Sequence, residues 1–331
     1  MEMGSETELA FGTPYRTHVV QRLLEKRGVG LLHVLTGLRG AGKTHLAHDI
    51  INSLEQQGEK TRYLSLAENE FRWVNNGCDF FIAVKRMFDN VEGPVFLVLD
   101  EPTSIPYISA GIASLVADGR FELLVVSSTS AIFTSEEKNY FAGRINHEEL
   151  LPVEGARRCS LYELLVRDVL KESGVPDVRI VERVIEYLAV TVGIEHTQRA
   201  MLDFVERDRA ISKNTPARCV TALVNTHIIR AVPKFNLFEG IRPPKTGLKY
   251  SFTDPDMRRA TFGRLSPAAE TFDACVAQLA RLEREVCWVD EMPGVVDFVT
   301  MRGNRVESYW RSTPDGPEVA ADANSLFCQK S

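Results

Sequence analysis

Fourteen residues, Leu31–Thr44, leave this chain few folds to choose from: Leu-Leu-His-Val-Leu-Thr-Gly-Leu-Arg-Gly-Ala-Gly-Lys-Thr. An apolar run, Leu31 to Leu35, leads into Gly37-x-x-x-x-Gly42-Lys43-Thr44, and a helical pattern follows at once in Leu46, Ile50, Ile51 and Leu54. Strand, glycine-rich loop and helix in that order turn the pattern into a phosphate-binding device. Glycines let successive N–H groups curl inward around a polyphosphate, and the positive end of the following helix adds to that field. Lys43 is expected on the β/γ-phosphates and the Thr44 hydroxyl on Mg²⁺. The expected nucleotide-binding set is Gly37, Arg39, Gly40, Ala41, Gly42, Lys43, Thr44 and His45.

A second apolar run, Val95–Leu99, ends in Asp100-Glu101-Pro102. A buried parallel strand that delivers carboxylates at its tip has this form. Asp100 would then share Mg²⁺ with Thr44, and Glu101 would polarise the attacking water. A further strand, Phe121–Val126, ends in Ser127-Ser128-Thr129-Ser130. Thr129 is the first choice for a side chain that senses the γ-phosphate, with Ser128 second. Around these lie expected helices at His18–Lys26, Phe80–Phe88 and Ile108–Ala117, a strand at Arg62–Leu66 and a fifth strand ending at Pro152. Strands alternating with helices imply a parallel sheet covered on both faces. No Asn-Lys-x-Asp or Thr-Lys-x-Asp segment is present, so ATP is the expected nucleotide.

At 331 residues the chain has room for two or three domains. Its net charge of −6 excludes a global basic footprint for nucleic acid and leaves local patches open. No apolar run approaches the roughly 18 residues a membrane span needs, and the first residues lack the basic start and apolar core of a signal peptide. Six cysteines without a C-x-x-C pair read as reduced, buried thiols in the cytoplasm.

Beyond Pro152 the pattern turns helical, with amphipathic segments at Val178–Ala189 and Gln198–Arg209. Thr215-Pro216 opens a third helix, with Thr215 expected as its N-cap, and Ile228–Val232 reads as a strand. Pro243-Pro244 marks a linker. After it come a strand near Leu248–Pro255, a helix over Phe272–Arg284 with Leu282 facing inward, and a hairpin joining Val295–Val299 to Asn304–Trp310.

The run Gly37–Thr44, the pair Asp100-Glu101, the Ser128-Thr129-Ser130 tip, Gly143-Arg144 and the segment Ser160–Leu165 resemble AAA-type ATPases of archaea and bacteria. That group carries a C-terminal domain related to restriction endonucleases. The resemblance implies an α/β P-loop NTPase domain of the AAA (ASCE) type over residues 1–155, a winged-helix lid over 156–238 and a small α+β restriction-endonuclease-like domain over 239–331. It implies that Arg144 reaches a neighbouring subunit's γ-phosphate in a homo-oligomer. The family pattern places a glutamine where Thr103 stands. In the last domain Glu270, Asp297 and Glu307 match the carboxylates of a metal-dependent nuclease, but Ser308 and Tyr309 stand where its lysine would be. Without that lysine, the carboxylates could hold metal only weakly and cleavage would be poor. The expected function is Mg²⁺-dependent ATP hydrolysis coupled to conformational change, acting on double-stranded DNA or a protein partner. Arg207, Arg209, Lys213, Arg218 and Arg230 are the residues that would touch DNA. Two alternatives stay open: an ATP-gated DNA nuclease, and a nucleotide-dependent adaptor or switch with little turnover.

Overall fold

The computed structural model describes residues 14–28, 30–66, 71, 73–153, 162–206, 211–243 and 247–320; for residues 14, 135 and 162–165 it describes the backbone alone. The chain divides into two compact units, Met1–Pro152 and Val153–Ser331.

In the first unit, helix α1 (Pro14–Glu25) leads to strand β1 (Leu32–Thr36), the glycine-rich loop and helix α2 (Lys43–Gln56). There follow β2 (Thr61–Ser65), α3 (Gly77–Met87), β3 (Val95–Asp100), α4 (Ile108–Asp118), β4 (Phe121–Ser127), the short α5 (Ser135–Tyr140) and β5 (Ile145–Glu149). The helix expected at His18 starts four residues earlier, since Pro14 suits a first turn whose N–H groups have no partner. Helix α5 was not expected; the Thr134 hydroxyl and the Glu137 carboxylate close a reciprocal cap at its start.

All five strands are parallel and lie in the order β2-β3-β4-β1-β5. Period-two alternation sends Leu97, Leu99, Leu123 and Val125 to one face, against Phe80 and Val84 of α3 and Ile112 and Leu115 of α4. It sends Phe96, Val98, Leu124 and Val126 to the other face, against Val19 and Leu23 of α1 and Leu46 and Ile50 of α2. Helices α3 and α4 touch at Gly77 and Gly111. A Cβ on Gly111 would stand 2.3 Å from the Gly77 carbonyl oxygen, so only glycine lets the backbones approach this closely.

At the edge where the strands begin, a charge cluster closes the sheet. Glu122, 5% exposed, accepts hydrogen bonds from the Arg27 guanidinium at 3.0 Å and the Gly28 N–H at 3.1 Å. Arg27 also binds Glu59 and lies over the Phe96 ring, and His33 Nε2 stands 3.5 Å from Glu122.

The second unit begins with helices α6 (Tyr162–Ser173), α7 (Val178–Val190), α8 (Gln198–Val205) and α9 (Thr215–Asn225). Asn214, not Thr215, occupies the N-cap position of α9; Thr215 lies inside the helix with Pro216 in the first turn. Strands β6 (Ile229–Val232) and β7 (Lys249–Phe252) pair antiparallel, so a two-stranded sheet crosses the boundary expected at residues 238 and 239. Helices α10 (Pro255–Phe262) and α11 (Pro267–Ala280) follow. Helix α11 begins at the Ser266 cap with Pro267 in its first turn and ends before Leu282, which is 44% exposed rather than inward. Strands β8 (Glu285–Met292), β9 (Val296–Arg302), β10 (Arg305–Thr313) and β11 (Gly316–Val319) form an antiparallel sheet of order β11-β10-β9-β8. The expected hairpin is its centre.

Arg258 is 0% exposed, and its guanidinium is fully engaged with Asp273, Glu270 and the Gly263 carbonyl. The Leu265 N–H and the guanidinium groups of Arg258 and Arg259 outweigh the upward push of burial and bring the Glu270 carboxyl down to about 2. Among the described residues four cysteines are free; Cys219, Cys275 and Cys287 are buried, whereas Cys78 is exposed, against expectation. No helix among the described residues is long and apolar enough to cross a membrane.

Candidate nucleotide site

Because the sheet is parallel, the C-terminal tips of β1, β3 and β4 come out at one edge. Register sets Thr36 beside Ser127 and Asp100 beside Val126. The glycine-rich loop therefore opens next to the acidic pair, although the two are far apart in sequence.

Three glycines shape the loop. Gly37, Gly40 and Gly42 have φ of 147°, 79° and 92°, a region L side chains rarely adopt. A Cβ on Gly37 would lie 2.3 Å from the Leu150 carbonyl oxygen. Gly42 is the N-cap of α2 and offers no side chain to its first N–H groups, which leaves the positive end of the helix to an anion. Lys43 is only 5% exposed, and its ammonium donates to the Gly37 carbonyl at 2.9 Å and the Leu38 carbonyl at 3.2 Å. These are acceptors that phosphate oxygens can replace. Arg39 is half-buried, while Gly40, Thr44 and His45 are exposed at the loop mouth.

Tyr15 and Arg16 stand just before the stretch expected as the first helix, a segment that would pack beside the nucleotide site or, by default, lie on the surface. In the structure Arg16 Nη2 donates to the Gly42 carbonyl at 2.9 Å and the Ala41 carbonyl at 3.4 Å. Each carbonyl so held fixes a peptide plane whose N–H faces the opposite way. One arginine four residues from an apolar stripe carries no signal of such a contact.

The Thr44 hydroxyl donates to Asp100 Oδ2 at 2.8 Å, and the Tyr63 hydroxyl donates to the same oxygen. Asp100 is 6% exposed, yet its Oδ1 has no hydrogen-bond partner among the described residues. A buried carboxylate oxygen left open is costly unless something is meant to reach it. An oxygen-only set of threonine hydroxyl and aspartate suits Mg²⁺, which takes one or two protein ligands and keeps its waters. The residues present thus fit Mg²⁺ bound with a nucleotide.

Glu101 follows in the left-handed region, φ 51°. For a residue with a Cβ this costs about 1 kcal/mol or more, a strain that gathers at functional positions. Its Oε1 accepts a hydrogen bond from the Ser128 hydroxyl. Thr129, the first choice for that strand tip, instead accepts from the Ala131 N–H at 3.1 Å within the following turn. Ser128, the second choice, is thus joined to the acidic pair through Glu101.

Arg144 stands at the opposite edge. Its carbonyl accepts from Leu32 N–H, at the start of β1, and its side chain is exposed. The length of the sheet separates it from the loop of its own chain. The weaker metal candidates do not come together. Glu270 is bound by Arg258 and Arg259, Glu307 by Arg284 and Arg302, and Asp297 by the N–H groups of Gly294 and Ser312. No group of three or more His, Cys, Asp or Glu able to hold a metal occurs among the described residues. Arginines neutralise two of these acids and a turn occupies the third. Of the expected DNA contacts, Arg207 and Arg209 lie outside the described residues, and Arg218 is engaged with the Ser173 carbonyl at 2.6 Å.

An uncharacterized protein of Haemophilus influenzae is 20% identical over 295 residues, which covers 75% of this chain and 74% of the relative. Among solved structures, C. elegans PCH-2 is 15% identical over 66% of this chain and 62% of its own, with a TM-score of 0.33. AMPPCP-bound DnaA from Aquifex aeolicus is 14% identical over 63% and 59%, with a TM-score of 0.27. The chain thus spans less than two thirds of the length of these two structures. Residues 31–157 match the family described as the AAA domain. That match, the sheet order and the loop geometry above support a P-loop NTPase fold for this segment.

Proposed function

We propose that the protein is an Mg²⁺-dependent ATPase that couples hydrolysis to a conformational change felt by a protein partner or double-stranded DNA. The observation that carries this reading is the joint at Asp100, where one oxygen binds Thr44 and the other lies buried and open beside the glycine-rich loop. The loop N–H groups and Lys43 would receive the polyphosphate, and Lys43 would exchange its two carbonyl acceptors for phosphate oxygens. Thr44 and Asp100 would hold Mg²⁺. When bound there, the ion neutralises charge on the transferring phosphoryl group. Glu101 would accept a proton from, or orient, the attacking water once the Ser128 hydroxyl lets it go. Arg144, remote from its own loop, would stabilise the transition state only in a neighbouring copy, which makes a homo-oligomer part of the reading.

The test is Glu101→Gln, which keeps the shape and removes the base. ATP hydrolysis should fall by about a hundredfold or more while ATP binding is retained. Unchanged turnover would sink the mechanism. The bond from Ser128 to Glu101 favours a second reading, a switch whose resting state turns over little. Ser128→Ala should then raise basal hydrolysis, whereas a lower rate would make Ser128 part of the catalytic arrangement. The tied-up carboxylates Glu270, Asp297 and Glu307 give the nuclease alternative no support.

A further inference from the structure

A cleft of about 640 Å³ opens within the second unit, between the end of α7, the first turns of α11 and the sheet strands β8–β10. Its floor is aromatic: Trp288, 3% exposed, is pinned by its indole N–H to the Gly247 carbonyl at 2.6 Å, and Phe272 packs against Phe298 with ring centroids 5.3 Å apart. On this floor stands Lys249, its ammonium 3.8 Å from the Trp288 ring centroid and 5.5 Å from that of Phe272. Half-buried, it makes no hydrogen bond and no ion pair among the described residues.

That is an unusual place to leave an ammonium. A ring face returns only part of the hydration a lysine loses on burial. Burial pushes the Lys249 ammonium below the ordinary lysine range despite the opposing pull of Asp290, Glu195 and Asp297. Two of these acids are already taken. Asp290 is paired with Lys234 at 2.7 Å, and both Asp297 oxygens accept backbone N–H groups, from Gly294 at 3.0 Å and Ser312 at 2.7 Å. Lys249 is left with three donors and no acceptor, in a cleft whose walls are apolar at Val190, Val192, Ile194 and Leu265.

Charge decides what fits. Lys234, the second cation over the Trp288 ring, is neutralised by Asp290, so Lys249, with Glu195 and Asp297 close by, balances a single negative charge at most and a dianion such as phosphate is repelled. We propose that this cleft binds a small organic monocarboxylate, its carboxylate received by Lys249 and its apolar body laid along Val190, Ile194 and Leu265. The first turn of α11, which also lines the cleft, adds a favourable dipole to the same charge. The site is independent of the glycine-rich loop and does not rest on ATP hydrolysis.

The test uses the full chain carrying Trp73→Phe and Trp310→Phe, so that the fluorescence of Trp288 is the reporter, and hexanoate, acetate and inorganic phosphate as probes. Hexanoate should give a saturable change, and acetate, lacking the apolar body, should bind about tenfold or more weakly. Lys249→Met should weaken hexanoate by about tenfold or more, while Lys249→Arg, which keeps a cation over the ring, should retain most of the affinity. Should Lys249→Met fold poorly, Ile194→Asp places a repelling charge on a wall residue that is 57% exposed, and it too should weaken hexanoate. ATP binding should be the same in all variants, which separates this site from the nucleotide site. The absence of saturable hexanoate binding, equal affinity in Lys249→Met, or tighter binding of inorganic phosphate would each overturn the proposal.

Discussion

The two edges of the parallel sheet bury charge in opposite ways. Where β4 begins, Glu122 is enclosed by Arg27, the Gly28 N–H and His33, and Arg27 is further paired with Glu59. Both Glu122 oxygens are met by the protein itself, while His33 Nε2, buried beside them, makes no hydrogen bond among the described residues. Where the neighbouring strand β3 ends, Asp100 is equally buried, yet one of its oxygens has no partner among the described residues, and the residue after it sits at a strained φ of 51°. Neighbouring strands thus carry a carboxylate with both oxygens partnered at one edge and a carboxylate with one oxygen unpartnered at the other. Buried charges usually come paired because an unpaired one costs several kcal/mol. An unfinished cluster that persists marks the edge where a ligand completes it.

The largest expected effect breaks this contrast if it fails. Asp100→Asn should lower ATP hydrolysis by about a hundredfold or more, as loss of a metal-holding carboxylate does, while costing less stability than Glu122→Gln, because an amide oxygen can still accept from Thr44 and Tyr63. Glu122→Gln should do the reverse. It leaves Arg27 with Glu59 as its only charged partner in the cluster and removes a carboxylate acceptor, costing about 2 kcal/mol of stability, with affinity for ATP unchanged. Urea unfolding and phosphate release on the two variants check both halves. If Asp100→Asn destabilises as much as Glu122→Gln, Asp100 is a structural charge and the distinction falls.

These differences also explain what the sequence could show. The loop was legible because its chemistry is local: glycines at fixed spacing, then Lys43 and Thr44, between an apolar run and a helix. The strand order was legible only as a class, since β1 lies between β4 and β5 through pairings that no local pattern encodes. Arg16 and Tyr63 were missed for the same reason. Each reaches the site from another element, and neither residue type announces its target. Thr129 was preferred over Ser128 because both stand at a strand tip; which hydroxyl meets Glu101 depends on how the chain turns after Ser127. In the second unit the carboxylate positions were visible but their arginine partners were not, since Glu270 and Glu307 are neutralised through side chains as much as 23 residues away. The start of α11 was missed because the apolar periodicity begins later than the Ser266 cap.

A smaller effect sharpens the contrast through pH. Burial pushes the Glu122 carboxyl up, but His33, Arg27 and the Gly28 N–H prevail and hold it below the ordinary carboxylate range. Arg27 does the same to Glu59. A carboxylate depressed in the folded state stabilises fully above its unfolded value and loses that contribution as the pH falls through the folded value. Stability should therefore drop below about pH 4.5, and the Glu122→Gln variant should show a shallower acid limb than the parent in urea midpoints measured from pH 6 to 3. An unchanged limb would mean that the cluster is not what acid dissolves.

The smallest effect tests whether the unfinished edge has a finished part. Arg16 is charged, half-buried and bonded to the Gly42 and Ala41 carbonyls, so it belongs by its contacts to the protein and by its position to the ligand. Its role by this geometry is to hold two peptide planes of the loop before phosphate arrives. Preorganisation of that kind acts on affinity, because it lowers the ordering cost of binding. Arg16→Met keeps part of the apolar stem and removes both hydrogen bonds. It should weaken ATP binding about fivefold, the worth of roughly 1 kcal/mol of hydrogen bonding. Hydrolysis of bound ATP should change less, since Arg16 is bonded to the loop rather than to Asp100 or Glu101. A fluorescent ATP analogue titrated against both proteins, with single-turnover hydrolysis beside it, reads the two quantities apart. Loss of stability with affinity intact would instead place Arg16 with Arg27, among the charges the fold completes for its own sake.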